Sequence, residues 1–177
     1  MITKKAYKLF RIDAEGNLHP LYVFASEIIP IGVWLEAKEG TLLADGKHVS
    51  SRLGSLAYRP GWHLADIPLA KHIGVKLPNG ELAMRKNHVW CEVEYEDDVD
   101  YQIAANSNGY YKGYKFNPRD AYLKYIPFHG SYRYKTSPKM LGEWIIAGNM
   151  KVLRTLTYEE VAEICRAHGY EPQQVAA

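Results

Sequence analysis

Apolar and polar positions divide the chain into short segments that read mostly as strands. Ala6 to Ile12 reads as one strand, Asp13-Ala14-Glu15-Gly16-Asn17 is built of turn residues, and Leu18 to Phe24 returns as a second strand. Ile28 to Ala37 is another extended apolar run, with Pro30 and Gly32 near its start. Lys38 to Ser51 is polar, holds Gly40 and an Asp45-Gly46 turn, and reads as a loop. Leu56 to Leu64 is interrupted by Pro60-Gly61, which predicts a bend. Asp66 has the chemistry of a helix N-cap. A short helix is therefore expected through Leu69, Ala70 and Ile73, ending at Gly74, with Pro68 in its first turn.

An Asn79-Gly80 turn follows. Val89, Cys91, Val93 and Tyr95 then alternate along His88 to Tyr95 and predict a half-buried strand. One short helix is expected within Asp97 to Asn108, and another from an Asn117-Pro118 cap through Ile126. Glu143 to Leu156 is strongly apolar and interrupted at Gly148-Asn149, which predicts a strand pair or one long bent strand. Thr157 and Glu160 form a capping box. Val161, Ile164 and Cys165 give the final helix its buried stripe, and Gly169 ends it. Strands with isolated helices, and no regular strand–helix alternation, predict one α+β domain over residues 1–177 rather than a doubly wound parallel sheet. The Gly-rich stretches are turns, and none is a phosphate loop of either common kind.

Composition agrees with a globular chain: 47% of the residues are hydrophobic and 24% charged. No apolar run reaches the ~18 residues of a membrane helix. The basic start Met1-Ile2-Thr3-Lys4-Lys5 has no apolar core behind it, so it does not read as a signal peptide. Cys91 and Cys165 read as reduced, structural thiols. A cytoplasmic protein without membrane contact is expected. The net charge of +2 makes no case for nucleic acid by itself. Its distribution says more. Glu92 to Asp100 holds six acids and no base. Tyr110 to Lys139 holds Lys112, Lys115, Arg119, Lys124, Arg133, Lys135 and Lys139 against Asp120 alone, and nine of the 14 tyrosines lie between Tyr95 and Tyr134. Such a segment can stack on and neutralise a nucleotide or polynucleotide. It can equally be a sheet with half-buried tyrosines and a solvated lysine rim.

Three places concentrate candidate chemistry. Arg11 is a guanidinium inside the apolar first strand, which calls for a partner, an anionic ligand or solvent. Tyr58-Arg59-Pro60-Gly61-Trp62-His63-Leu64-Ala65-Asp66 gathers an arginine, a histidine and two aromatics on one bent strand. Glu143 enters the apolar strand Trp144-Ile145-Ile146. No metal site is expected: His88 and Cys91, the one adjacent pair of possible ligands, point to opposite faces of a strand.

Gly61-Trp62-His63-Leu64-Ala65-Asp66 resembles the Gly-Ile-Tyr-Phe-Ala-Asp run of ADP-ribosyltransferases of the poly(ADP-ribose) polymerase and diphtheria-toxin type. Ile67-Pro68-Leu69-Ala70-Lys71-His72 resembles their short helix, and Glu143-Trp144-Ile145-Ile146 is similar to the family's Glu-Tyr-Ile-Val strand, whose glutamate is catalytic. Arg11 stands where the family's first strand carries a His or Arg that holds the dinucleotide. The order of first-strand cation, middle aromatic and late glutamate is kept over residues 6 to 156. Two departures stand out: the first strand has no His-Gly, and His63 occupies the middle tyrosine position. The chain as a whole also resembles phage and mobile-element proteins.

The resemblance implies split antiparallel β-sheets with a few short helices, NAD as substrate, and mono-ADP-ribosyl transfer to an acceptor such as a protein or nucleic acid. Glu143 and His63 would be catalytic, and Arg11, Tyr58, Arg59 and Trp62 would bind NAD. Release of nicotinamide passes through a ribosyl cation, which a carboxylate stabilises; an aromatic packs the nicotinamide and an arginine grips the phosphates. Two alternatives remain open. One is a metal-free RNA-binding or RNA-cleaving domain using His63, His129, Arg133 and Lys135. The other is a non-catalytic phage interaction module.

Overall fold

The computed structural model describes residues 1–52, 54–108, 110–111, 115–116 and 121–177. The first half contains β1 (Thr3–Ile12), β2 (Leu18–His19), β3 (Trp34–Glu36), β4 (His48–Ser51), β5 (Gly54–Ala57), β6 (Trp62–Ala65), β7 (Val75–Lys76) and β8 (Leu82–Ala83). The second half contains β9 (His88–Glu96), β10 (Val99–Asp100), α1 (Gln102–Asn108), β11 (Tyr110–Tyr111), β12 (Lys115–Phe116), β13 (Gly130–Tyr134), β14 (Trp144–Ala147), β15 (Asn149–Thr155) and α2 (Tyr158–Ala167). The fold is mixed α+β, with a sheet core and two short helices among the described residues.

Nine strands form one sheet in the order β10-β13-β14-β6-β1-β9-β15-β3, with β2 added to β1. Pairing is antiparallel except between β10 and β13. β14 and β15 are halves of one strand bent at Gly148. The path β14-β6-β1-β9-β15 therefore returns to the strand it left, and the sheet is rolled on itself. The bend needs glycine: a Cβ at Gly148 would lie 2.4 Å from the Pro127 carbonyl oxygen.

Strand alternation gives the roll two apolar faces. Ala6, Phe10, Leu64, Cys91, Val93, Tyr95, Ile145, Met150 and Val152 pack on one of them. Leu9, Ala65, Trp90, Tyr132, Tyr134, Trp144 and Ile146 pack on the other, beneath Ala105 of α1 and Val161 and Cys165 of α2. Thr157 and Glu160 close the capping box of α2 as expected.

Several expectations are corrected. The described strands form one rolled nine-stranded sheet and three two-stranded ones. β9 is covered at His88 and Trp90 on its second face as well as at Cys91, Val93 and Tyr95 on the first, while Glu92 and Glu94 on the second face stay partly exposed. The strand expected over Leu18 to Phe24 ends at His19, since Pro20 has no N–H to offer a ladder and Phe24 turns left-handed at φ 56°. Ile28 to Ala37 contributes only β3 and isolated bridges at Ile29 and Ile31. The expected loop over Lys38 to Ser51 contains β4, which pairs with β5. The segment after Asp66 makes turns and no α-helix. Its carboxylate accepts from the Glu143 N–H at 2.9 Å instead of capping, and Ile67, Leu69 and Ala70 are all buried, as no one-sided helix would leave them. Of the helix expected from Asn117-Pro118, residues 117–120 lie outside the described ones, and 121–126 are not helical.

Candidate ligand-binding site

β9 pairs with one edge of β1 from Thr3 opposite Glu96 to Arg11 opposite His88. The other edge is shared. β6 meets it at Tyr7 opposite Ala65, and β2 meets it at Arg11 and Ile12. Lys8, Leu9 and Phe10 therefore have no strand partner on that side, and a window opens between β1 and β6. A cavity of about 420 Å³ fills it, within the range of small-molecule sites.

Leu9, Trp62, His63, Tyr134 and Trp144 line the cavity from the sheet. Tyr22, Val23 and Phe24 line it from the segment after β2, and Tyr58-Arg59-Pro60-Gly61 from the bend before β6. Gly61, at φ 135°, allows that bend to press on β14: a Cβ there would lie 2.5 Å from Ile146 Cγ2. Trp62 is fixed by its indole N–H, which donates to the Leu35 carbonyl at 2.9 Å.

The cations are held by neighbours. Lys8 Nζ donates to the His63 carbonyl at 2.9 Å across the window and lies over the Phe10 and Trp62 rings. Burial lowers its pKa from 10.5 to about 8. The Arg59 guanidinium stacks 4.1 Å from the centre of the Tyr134 ring. His63 packs edge-on against Tyr134, and its Nδ1 lies 3.3 Å from the Gly61 carbonyl. Burial, then the charges of Lys8 and Arg59, depress its pKa to about 3. Its neutral form is therefore favoured, with one ring N–H and one acceptor nitrogen. The lining is thus aromatic, with the positive charges of Lys8 and Arg59 beside the mutually neutralised Lys38–Glu27 pair, which suits a flat, anionic ligand.

Four residues singled out from the sequence, Tyr58, Arg59, Trp62 and His63, meet in this cavity. Arg11 and Glu143 do not. Strands β14, β6 and β1 are neighbours, but His63 faces Ile146 across the β6–β14 pair while Glu143 shares the face of Ile145. Glu143 and His63 therefore lie on opposite faces of the sheet. Glu143 is partly exposed and pairs with Arg133 at 3.5 Å. Arg11 donates from Nη2 to the Ala25 carbonyl at 2.9 Å. The residues of the RNA-cleaving alternative are scattered too: His129 bonds Glu96 at 3.0 Å and Arg133 pairs with Glu143. Tyr132 and Tyr134 are buried in the core, and Tyr125 is exposed. Lys112, Tyr114 and Arg119 lie outside the described residues.

Lys8, Glu27, Tyr134 and Trp144 were not singled out from the sequence as site residues. Lys8 was legible: it shares strand parity with Ala6 and Phe10, so its stem must run along a buried face. Glu27, salt-bridged to Lys38 at 2.6 Å, is carried by an irregular segment and had no such signal. Among the described residues, no group of three or more metal-ligating side chains gathers. No family model, curated protein or solved structure matches this chain.

Proposed function

We propose that this protein binds a flat, anionic small molecule of the nucleotide class, with NAD the first candidate. The observation that carries this reading is the convergence of Lys8, Arg59, Tyr58, Trp62, Tyr134 and Trp144 on one cavity of about 420 Å³. Aromatic walls suit a base or nicotinamide ring, and the fixed cations suit a phosphate. Glu143 has no place in this reading, because it faces away from His63. ADP-ribosyl transfer in this cavity would draw its carboxylate from Glu27, the one acid among the described lining residues. Binding is therefore proposed without a transfer reaction.

Thermal melting with NAD, AMP, adenosine and nicotinamide tests the reading. A ligand at a hundred times its Kd adds about 2.7 kcal/mol, which raises Tm by roughly 5–10 °C for a chain of this size. Trp62→Ala should abolish most of the rise. No shift with any of the four at millimolar concentration would sink the proposal and favour an interaction module. A shift with oligoribonucleotide alone would favour RNA.

A further inference from the structure

Three adjacent strands bring His19, Arg11 and His88 into one row. Arg11 faces His19 on β2 and His88 on β9, so all three side chains share one face of the sheet. Both histidines are only 7% exposed. Polar atoms in this row lack partners: both ring nitrogens of His88, Nδ1 of His19 and Nε of Arg11 are buried without a hydrogen bond. Buried polar atoms left unpaired in a row are costly and rare, and a ligand or an ordered water relieves them.

Most of the charge around the row is positive. Arg52 and Arg85, both exposed, lie within electrostatic reach of His88 and of Tyr22. Among the described residues, none of Arg11, Arg52 and Arg85 has a carboxylate in salt-bridge contact. Arg11 and Arg52 donate to the carbonyls of Ala25 and Leu21, which leaves both charges unneutralised. Asp13 is the one acid touching the row. It accepts from His19 Nε2 at 2.8 Å, and also from the N–H groups of Glu15 and Asn17.

We propose that the His19–Arg11–His88 row, rimmed by Arg52 and Arg85, is a binding site for a phosphoryl oxyanion. The recessed imidazoles would meet a compact, multiply charged group, and the two exposed guanidiniums would close over it. A terminal phosphate fits such a recess better than the phosphodiester of a continuous strand, whose sugars flank every charge. Arg11 thereby has a role as an anion ligand, away from the cavity beside β6.

Histidine C–H resonances of the intact protein give the test. Inorganic phosphate is titrated at constant ionic strength against chloride, followed by AMP and adenosine. His88 should move with phosphate and saturate at millimolar concentration, while exposed His168 stays still. Arg52→Ala and Arg85→Ala change exposed side chains and should each weaken phosphate about tenfold. Saturation by AMP below the phosphate concentration would identify the phosphoryl group as part of a nucleotide, and equal saturation would identify the free oxyanion; both support the site. The proposal is overturned if His88 does not move, if adenosine moves it as far as AMP, or if neither arginine variant weakens phosphate. It is also overturned if a single-stranded oligonucleotide without terminal phosphate binds more tightly than either small ligand. Trp62→Ala should leave this titration unchanged, which separates it from the cavity.

Discussion

Two buried bases in the cavity give pH signatures of the same sign in two separate windows. Lys8 has a folded pKa of about 8, below its unfolded value of 10.5. The unfolded chain holds the extra proton between these values, so this residue makes folding less favourable at neutral pH and releases that penalty as pH rises from 8 to 10.5. Lys8→Met should therefore be more stable than the parent in urea melts at pH 7, and should lose the parent's gain between pH 8 and 10. The same variant should bind an anionic ligand more weakly. His63 behaves the same way lower on the scale. Its folded pKa of about 3 lies below the unfolded 6.5, so stability falls as pH drops through that window. His63→Gln should flatten part of the acid limb. A residual slope remains, because burial and nearby Arg85, Arg52 and Arg11 also hold His88 down, at about 4. An acid limb identical in parent and His63→Gln would show that His63 titrates normally.

The elements differ in how far local sequence determined them. Helix α2 was legible in full, since Thr157, Glu160 and Gly169 fix its ends without help from elsewhere. Thr157→Ala should cost about 1 kcal/mol, or roughly 2–4 °C in Tm. The bent strand through Gly148 was legible as a break in an apolar run, while its two sets of partners were not. Gly148→Ala would push a methyl into the Pro127 carbonyl and should cost roughly 1–3 kcal/mol, measured by the same melts. The segment after Asp66 misled because its turn residues suit a cap equally well, and the true partner, the Glu143 N–H, lies 77 positions away. The β4–β5 hairpin was hidden for a related reason. Of its strands, only Val49 is buried among the residues of β4, so no apolar alternation marks it.

At the scale of the molecule, the sequence marks out the strands β1, β6 and β14, which lie side by side in the sheet. It did not reveal which face each side chain takes. Glu143 follows Ile145 by strand parity and His63 follows Ile146 by register, and register is a property of paired strands rather than of either alone. That is why four of the six named residues met and two did not. The rolled sheet also has a consequence for biosynthesis. β1 is made first, yet its Tyr7 waits for Ala65 and Glu92, and β6 and β9 then wait for the strand through Gly148. A chain emerging from the ribosome thus carries β6 and β9 with open edges until the last quarter has been synthesised. Open edges pair with one another between chains. Nascent chains arrested before Gly148 should need a chaperone to stay dispersed, and completed chains should not. Sedimentation of arrested and released products, with and without a holdase, would measure this dependence on the final strand.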